Sequence, residues 1–260
     1  MSRWKRIFIL VGIVVVLGGV YLWFFGVQTA SALMVRYQFR KLPDVAKTPV
    51  PLSDLSISSV PHRAVSYFGY EFELPWDDVD AEKDKTVGTI HVTYFRSGNA
   101  FWFSTFPPRD FVNEILKTGN LDQQSFKRLY GEEAFESDYA FHEKMLQLTP
   151  SEITPFISET QAISGQMLLL IKAISMPKAS SGIFSIQTQG FKGFQFENPQ
   201  TRPPRITEEL FSNDRGINAI FMQKVGGPTI SQAEINRVIQ SIHKGQLQTA
   251  TIAANGNGKK

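Results

Sequence analysis

The sequence predicts an α+β fold: a mostly antiparallel sheet with packed helices and a helical middle lobe, plus one N-terminal transmembrane helix. Three observations support this prediction. Nineteen consecutive uncharged residues, 7–25, follow a short basic start. Two groups of alternating or β-branched runs flank a segment of helical character at 109–176. A capped amphipathic segment then closes the folded part, and strands, helices and strands in this order are typical of α+β proteins.

Residues 7–25 have the length of a membrane span. As a helix with 1.5 Å rise per residue they extend about 28 Å, close to the roughly 30 Å of hydrocarbon in a bilayer. The run ends in aromatic residues, as expected of the belt at a bilayer surface: Tyr21, Trp23, Phe24 and Phe25. A buried core helix is disfavoured because the run is apolar on every side.

A cleaved signal peptide is the alternative, because Ala30, Ser31 and Ala32 form the small-residue pattern of a cleavage site. The apolar region of a signal peptide is typically about 7 to 15 residues long, and the longer run here favours retention. The bases in residues 1–6 predict a cytoplasmic N-terminus and an extracytoplasmic C-terminal domain. The bases at 36, 40 and 41 oppose this orientation only in part, since they lie farther from the run. Anchor and signal peptide both give the same placement.

Residues 26–61 are predicted to be a juxtamembrane segment followed by a proline-rich stalk. Residues 26–39 continue the helix, and 42–61 contain four prolines. Because proline fixes φ and removes a hydrogen-bond donor, this stretch is expected to be extended and to hold the folded part off the bilayer. A single extracytoplasmic α+β domain is predicted to follow at 62–245.

Strands are predicted on both sides of the helical middle. Residues 67–74 alternate apolar and polar positions, which indicates one strand with a buried face. Residues 86–96 and 100–106 are predicted to pair as a hairpin around Ser97, Gly98 and Asn99. Further strands are predicted within 182–196 and 216–225.

Two helix starts are marked by capping boxes. Thr149 and Glu152 form the first, and Pro155 is expected to kink or restart that helix. The segment 156–176 is expected to be a central helix that buries one broad apolar face, made of Phe156, Ile163, Met167, Leu170, Ile171 and Ile174. Ser231 and Glu234 form the second box and start a helix that reaches residue 243. Residues 246–260 are predicted to be a disordered tail.

The segments 67–76 (YFGYEFELPW) and 230–242 (ISQAEINRVIQSI), with the β-rich C-terminal half, resemble the PsbP-like, Mog-type α/β/α sandwich. The resemblance covers the outer two thirds of residues 67–243 and consists of packing motifs. The long helical middle departs from the compact family pattern. The resemblance implies a non-catalytic accessory or binding role and assigns no functional residue.

Charge and composition exclude several functions. Of 27 basic residues, nine lie in 1–47 and 259–260, so that 48–258 carry 18 basic and 23 acidic residues, a formal charge of −5. A phosphate-binding surface needs a basic stripe, so no nucleic-acid partner is predicted. The juxtamembrane bases suit either anionic headgroups or a solvated stalk. The absence of cysteine excludes disulfides, thiolate metal sites and cysteine nucleophiles.

No metal, cofactor or catalytic site is predicted. A calcium loop starting at Asp78 fails, because Lys83 stands where glycine is needed and Thr89 stands where glutamate is needed. The four histidines lack the spacing of a zinc site. The S-x-x-K pattern from Ser175 to Lys178 is interrupted by proline.

An aromatic triplet, Phe101, Trp102 and Phe103, is the candidate contact for a partner or ligand, because in a strand Trp102 points away from its neighbours. The sequence as a whole predicts a membrane-anchored accessory or interaction module and not an enzyme. Its predicted partners are the bilayer and another membrane or periplasmic protein. The alternatives are a carrier or sensor that binds an apolar ligand between sheet and helix, and a carboxylate-dependent hydrolase.

Overall fold

The computed structural model describes residues 3–40, 42–54, 56–59, 63–107, 117, 123–154, 156, 159–176, 181–198, 204–213 and 215–245. The predicted tail at 246–260 lies outside the described residues, and so does most of the first part of the helical middle, 109–116 and 118–122.

The described α-helices are α1 (Arg3–Phe39), α2 (Gln123–Tyr130), α3 (Asp138–Gln147), α4 (Glu159–Ser175) and α5 (Gln232–Ser241). Short 3-10 helices occur at Pro43–Ala46, Glu133–Phe135 and Pro150–Glu152. The strands are β1 (Val50–Pro51), β2 (Ala64–Tyr67), β3 (Tyr70–Glu73), β4 (Lys85–Val87), β5 (Ile90–Tyr94), β6 (Ala100–Phe106), β7 (Gly182–Gln187), β8 (Lys192–Asn198), β9 (Arg205–Phe211), β10 (Gly216–Met222) and β11 (His243–Lys244).

Eight strands form the main sheet in the order β1-β7-β8-β9-β10-β6-β5-β4, and β11-β3-β2 form a second, small sheet. Neighbouring strands of the main sheet are antiparallel except for β1 and β7. The predicted hairpin of β5 and β6 is present, with Thr93 opposite Phe101. The predicted α+β fold with a mostly antiparallel sheet is therefore confirmed.

The main sheet has a core on each face. Leu210 and Phe211 are neighbours on β9, yet they belong to different clusters of buried residues, because successive side chains in a strand point to opposite faces. On the Phe211 face the sheet packs against α1, α3 and α4. On the Leu210 face it packs against α5 and the small sheet.

The predicted single strand at 67–74 is a hairpin instead. β2 and β3 pair as an antiparallel ribbon in which Tyr67 lies opposite Tyr70. The two residues between them, Phe68 and Gly69, have φ of 52° and 80°, as the tight two-residue turns of hairpins require. The alternation predicted the buried residues of β3 but not the reversal, because Phe68 is an unusual residue at positive φ.

Both predicted capping boxes are present. Ser231 N–H donates to Glu234 Oε2 at 2.7 Å, and Glu234 N–H donates back to Ser231 Oγ at 3.3 Å, so α5 begins where expected. At the other box, Thr149 N–H donates to Glu152 Oε1 at 3.2 Å. There the helix is one 3-10 turn, and α4 starts anew at Glu159, after Pro155.

Candidate functional site: the junction of α1 and α4

The N-terminal helix α1 is long and apolar enough to cross a membrane. Large apolar side chains are exposed along this helix from Ile13 to Phe24, each with 49–85% of its area accessible to solvent. Among the described residues, none covers this part of the helix. Within the part of the chain that the structure describes, its apolar surface therefore has no partner.

Beyond the apolar run, the same helix becomes part of the folded domain. Ala32, Val35 and Phe39 are buried in the core beneath the main sheet. The small-residue triplet at 30–32 lies inside this unbroken helix, and Ala32 is one of its buried residues. One helix thus joins the exposed apolar run to the core without a flexible link.

Helix α4 packs beside this second half of α1. The ring of Phe156, just before α4, lies 6.3 Å from the ring of Phe25, edge to face. Farther along both helices, Gln166 Nε2 donates to Gln38 Oε1 at 3.3 Å. The residue numbers of the contacts increase along both segments, from Phe25 to Gln38 and from Phe156 to Gln166. Helix α4 therefore runs in the same direction as α1. We call the contacts of Phe25, Gln38, Phe156, Gln166 and Lys172 the α1–α4 junction.

Lys172 closes the far end of the junction. Its side chain is fully buried, and Nζ donates to Lys47 O at 2.7 Å, to Leu146 O at 2.6 Å and to Leu148 O at 2.8 Å. All three ammonium protons therefore have an acceptor. Burial lowers the pKa of Lys172 to about 8, against a smaller opposing effect of Glu152. This one side chain ties α4 to the end of α3 and to the segment that follows α1.

The inward face of α4 is not the predicted one. Phe156 is 77% exposed and Ile174 is 83% exposed, and Ile163 and Leu170 are also exposed. The buried side of the helix carries Ser164, Gly165, Leu168, Leu169 and Lys172. The prediction of one broad buried face was wrong because both sides of this helix are apolar, so the side that packs is decided by the partners and by the three carbonyls around Lys172. An apolar stripe therefore remains on the outside.

The three side chains of the aromatic triplet alternate between the two faces of the sheet, as in any β-strand. Phe101 and Phe103 are fully buried on β6, in the core that faces α5, and are not surface contacts. Trp102 points to the opposite face and is half-buried, with its Nε1 buried and without a hydrogen-bond partner among the described atoms. Trp102 points away from its two neighbours, as predicted, and its role as a partner or ligand contact stays a prediction. Phe101 and Phe103 contribute to the core, where Phe72 stacks on Phe103 with 4.4 Å between ring centres.

The proline-rich segment lies against the domain along residues 50–54 and 56–58, which we call the strap. Val50 and Pro51 form β1, paired with β7. Asn236 Nδ2, from α5, donates to Asp54 O at 2.9 Å and to Ser56 O at 2.8 Å. The strap is extended, as expected, but its backbone is hydrogen-bonded to the domain, because a chain without its own ladder takes its partners from a neighbouring edge and helix.

Two neighbouring glutamates on β9 lie on opposite faces of the sheet, and the side chain of Glu209 keeps 18% of its area exposed. Glu209 Oε2 lies 3.2 Å from His142 Nε2 of α3. Burial raises the pKa of Glu209 to about 7 and lowers that of His142 to about 3. Glu208 is fully buried on the side of α5, and burial, followed by the charges of Glu197 and Glu209, raises its pKa well above the usual range.

Three clefts on the described surface have volumes of about 340, 440 and 330 Å³. The first, beside α3 and α4, is lined by Tyr130, Lys144 and Glu152 among others. The other two flank the turn between β7 and β8. None of the three is lined by a pair of carboxylates or by the His142–Glu209 pair. Within the described ranges no group of three or more histidines or carboxylates is placed to hold a metal ion.

No family model matches this chain, no curated protein matches it, and no solved structure matches it. The resemblance of 67–76 and 230–242 to the PsbP-like, Mog-type sandwich stays a prediction.

Proposed function

We propose that this protein is a single-pass, membrane-anchored accessory or interaction module, with a cytoplasmic N-terminus and an extracytoplasmic α+β domain. The observation that carries the proposal is the continuity of α1, whose first part is apolar and uncovered and whose last turns are buried in the domain core. A bilayer is the environment that accommodates the first part, since a large apolar side chain gains about 1.5–3 kcal/mol on leaving water.

The same continuity favours a retained anchor over a cleaved signal peptide. Cleavage after Ala32 would cut through α1 and remove Ala32 from the core cluster that also contains Val35 and Phe39. The domain would then lose part of a helix on which α4 packs. A segment that is discarded does not need to be built into the fold.

An interaction role is supported by the outward stripe of α4, because apolar side chains that stay exposed beside an anchor are suited to a partner. A hydrolase is less well supported, since its carboxylates would have to converge in an accessible cleft. Among the described residues, His142 contacts Glu209 and His91 contacts Asp84, and neither pair lines one of the clefts described above. His243, which lines the third cleft, pairs with a single carboxylate, that of Glu71. The inner side of α4 is filled by Leu168 and Leu169, which argues against an apolar ligand at that position.

Topology is tested with single cysteines in the cysteine-free full-length chain. We expect a membrane-impermeant maleimide to label Val225→Cys, which is exposed, on intact cells, and to label Ser2→Cys only after permeabilisation. The protein should also stay in the pellet after an alkaline carbonate wash. Release by carbonate, or the reverse labelling order, would refute the anchored orientation.

The interaction role is tested with a photo-reactive amino acid at Ile174, on the exposed stripe, in intact cells. We expect one reproducible crosslinked protein, absent when the same probe replaces exposed Glu82. Equal crosslinking from both positions, or none from Ile174, would contradict a partner on this stripe.

A further inference from the structure

Phe156 combines exposure with a fixed position relative to the apolar run. Its side chain is 77% exposed, yet its ring contacts Phe25. Phe25 is the last residue of the aromatic group formed with Tyr21, Trp23 and Phe24, and mostly small or polar residues follow at 26–32. In a helix that spans the bilayer with residues 7–25, Phe25 lies where the hydrocarbon meets the headgroups. With 6.3 Å between the two ring centres, Phe156 lies at nearly the same depth.

We propose that the folded domain lies directly on the lipid surface, with Phe156 inserted at the boundary between hydrocarbon and headgroups. This inference rests on the proposed function, because it requires residues 7–25 to span the bilayer. Aromatic side chains are favoured at this depth. Phe156 thus extends the belt of Tyr21 and Phe25, whose rings lie 5.3 Å apart, with a residue from a distant part of the chain.

The domain cannot swing away from this position without breaking its core. α1 continues without interruption from the apolar run to Phe39, and Val35 is fully buried beneath the sheet. Gln166 and Lys172 hold α4 to α1 and to the segment that follows it. The depth of Phe156 is therefore set by the depth of the span itself.

The geometry distinguishes lipid from a protein on the same stripe. From Glu159 to Ile174, α4 rises about 22 Å along its axis, in the direction that leads away from the apolar run. A bilayer covers the end of the stripe at Phe156 and leaves Ile174 outside the lipid, in water when the protein is alone in vesicles and open to the proposed partner in cells. A protein partner or a second copy docked along the stripe would cover both ends.

Site-directed spin labelling tests the proposal, because the chain has no cysteine and each introduced one reports a single position. Full-length protein is reconstituted in vesicles of phosphatidylcholine and phosphatidylglycerol. Nitroxides are placed at Leu17→Cys, Phe156→Cys, Ile163→Cys and Ile174→Cys, and their collisions with oxygen, which enters lipid, and with a water-soluble nickel chelate are compared. All four positions are on the surface, and circular dichroism spectra equal to that of the parent chain establish that each variant is folded.

We expect the nitroxides at 17 and 156 to collide more effectively with oxygen than with the nickel chelate, and the nitroxide at 174 to show the reverse. The nitroxide at 163 should have an intermediate ratio of the two collision rates. If 156 behaves like 174 while 17 is in lipid, the docking is refuted and the anchor stands. If 17 is accessible to nickel, the proposed membrane anchor itself is refuted. Protection of both 156 and 174 from the nickel chelate and from oxygen would refute lipid docking in favour of a protein contact.

Discussion

Lys172 shows how one residue can be both buried and charged. Its ammonium group has no carboxylate within hydrogen-bonding distance in the described structure, but three backbone carbonyls accept all its protons. These carbonyls belong to the end of α3 and to the segment after α1, where regular structure provides no donor for them. With its pKa near 8, the side chain is protonated at neutral pH.

We expect Lys172→Met to destabilise the domain by about 3 kcal/mol, because buried carbonyls lose their donor while the apolar volume is kept. Denaturant unfolding of the full-length protein in micelles, followed by tryptophan fluorescence, measures this difference. Lys144→Met is the matched control, since Lys144 is exposed on α3. Equal unfolding midpoints for the two variants would show that the carbonyl contacts of Lys172 contribute nothing.

Glu208 is the second residue whose burial has a measurable consequence. Its carboxyl group lies on a central strand, across from Gln195 and Ala219, and neither oxygen has a hydrogen-bond partner among the described residues. Because its folded pKa is raised, the folded protein keeps this proton at pH values at which the unfolded chain has lost it. This group therefore lowers stability as the pH rises above 4.5.

We expect Glu208→Gln to be more stable than the parent chain at neutral pH and equal to it in acid. The difference should open above pH 4.5 and grow by about 1.4 kcal/mol per pH unit until the folded carboxyl group ionises. Unfolding free energies from pH 4 to 8 measure it, with exposed Glu82→Gln as the control. A difference that does not depend on pH would mean that Glu208 is ionised in the folded state.

At the level of elements, α1 is both an apolar helix and a core helix. From Ile13 to Phe24 nearly all of its large apolar side chains are exposed, whereas Ala32, Val35 and Phe39 near its end are buried against α4 and the sheet. The sequence predicts that the helix continues to residue 39 but not that it packs there. The pattern of 26–39 has no clear apolar face of its own, so its buried side depends on α4.

Val35→Ala should cost about 2 kcal/mol of unfolding free energy, because Val35 is fully buried and the change leaves a cavity. Its neighbour Met34 is 52% exposed, and Met34→Ala should have little effect. Unfolding in micelles compares the two. If both substitutions cost the same, the second half of α1 does not belong to the domain core.

The strap is a second element whose position depends on distant residues. Asn236 and Arg237 on α5 hold the carbonyls of residues 54, 56 and 58, about 180 positions earlier in the chain. Arg237 also forms an ion pair with Glu73 on β3. These side chains convert a proline-rich segment into an outer edge of the domain.

Asn236→Ala should release the strap, because two hydrogen bonds worth about 1 kcal/mol each are lost. Amide exchange in the peptide that contains residues 50–58 should then accelerate about tenfold or more. Gln240→Ala, an exposed change on the same helix, should leave the exchange unaltered. Unchanged exchange in Asn236→Ala would show that the two hydrogen bonds of Asn236 do not hold the strap, which β1 and Arg237 then keep in place.

At the scale of the whole molecule, the apolar run, α1, α4 and the sheet form one continuous body. With α1 in a bilayer as proposed, a domain joined to it in this way follows the tilt and depth of the helix, whereas a domain on a flexible stalk does not. In the proposed orientation the strap also brings the domain closer to the bilayer. The segment predicted to hold the domain off the bilayer lies on the surface of the domain instead.

Mass spectrometry of the protein from native membranes should find peptides from residues 7–32. We expect them because the fold uses Ala32 and the turns that follow it. Intact-mass measurement on the same sample provides the check against partial processing. A mature chain that starts at Leu33 would show that the apolar run is a cleaved signal.

The apolar run, most strands, both capping boxes and the α+β class could be predicted from the sequence, because they depend on periodicity and on residues a few positions apart. The buried side of α4, the core positions of Phe101 and Phe103, the location of the strap and the surroundings of Lys172 depend on tertiary contacts. The physical reason is distance along the chain: Lys172 meets the carbonyl of Lys47 across 125 positions. When a helix is apolar on more than one side, its local sequence does not indicate which side will be buried.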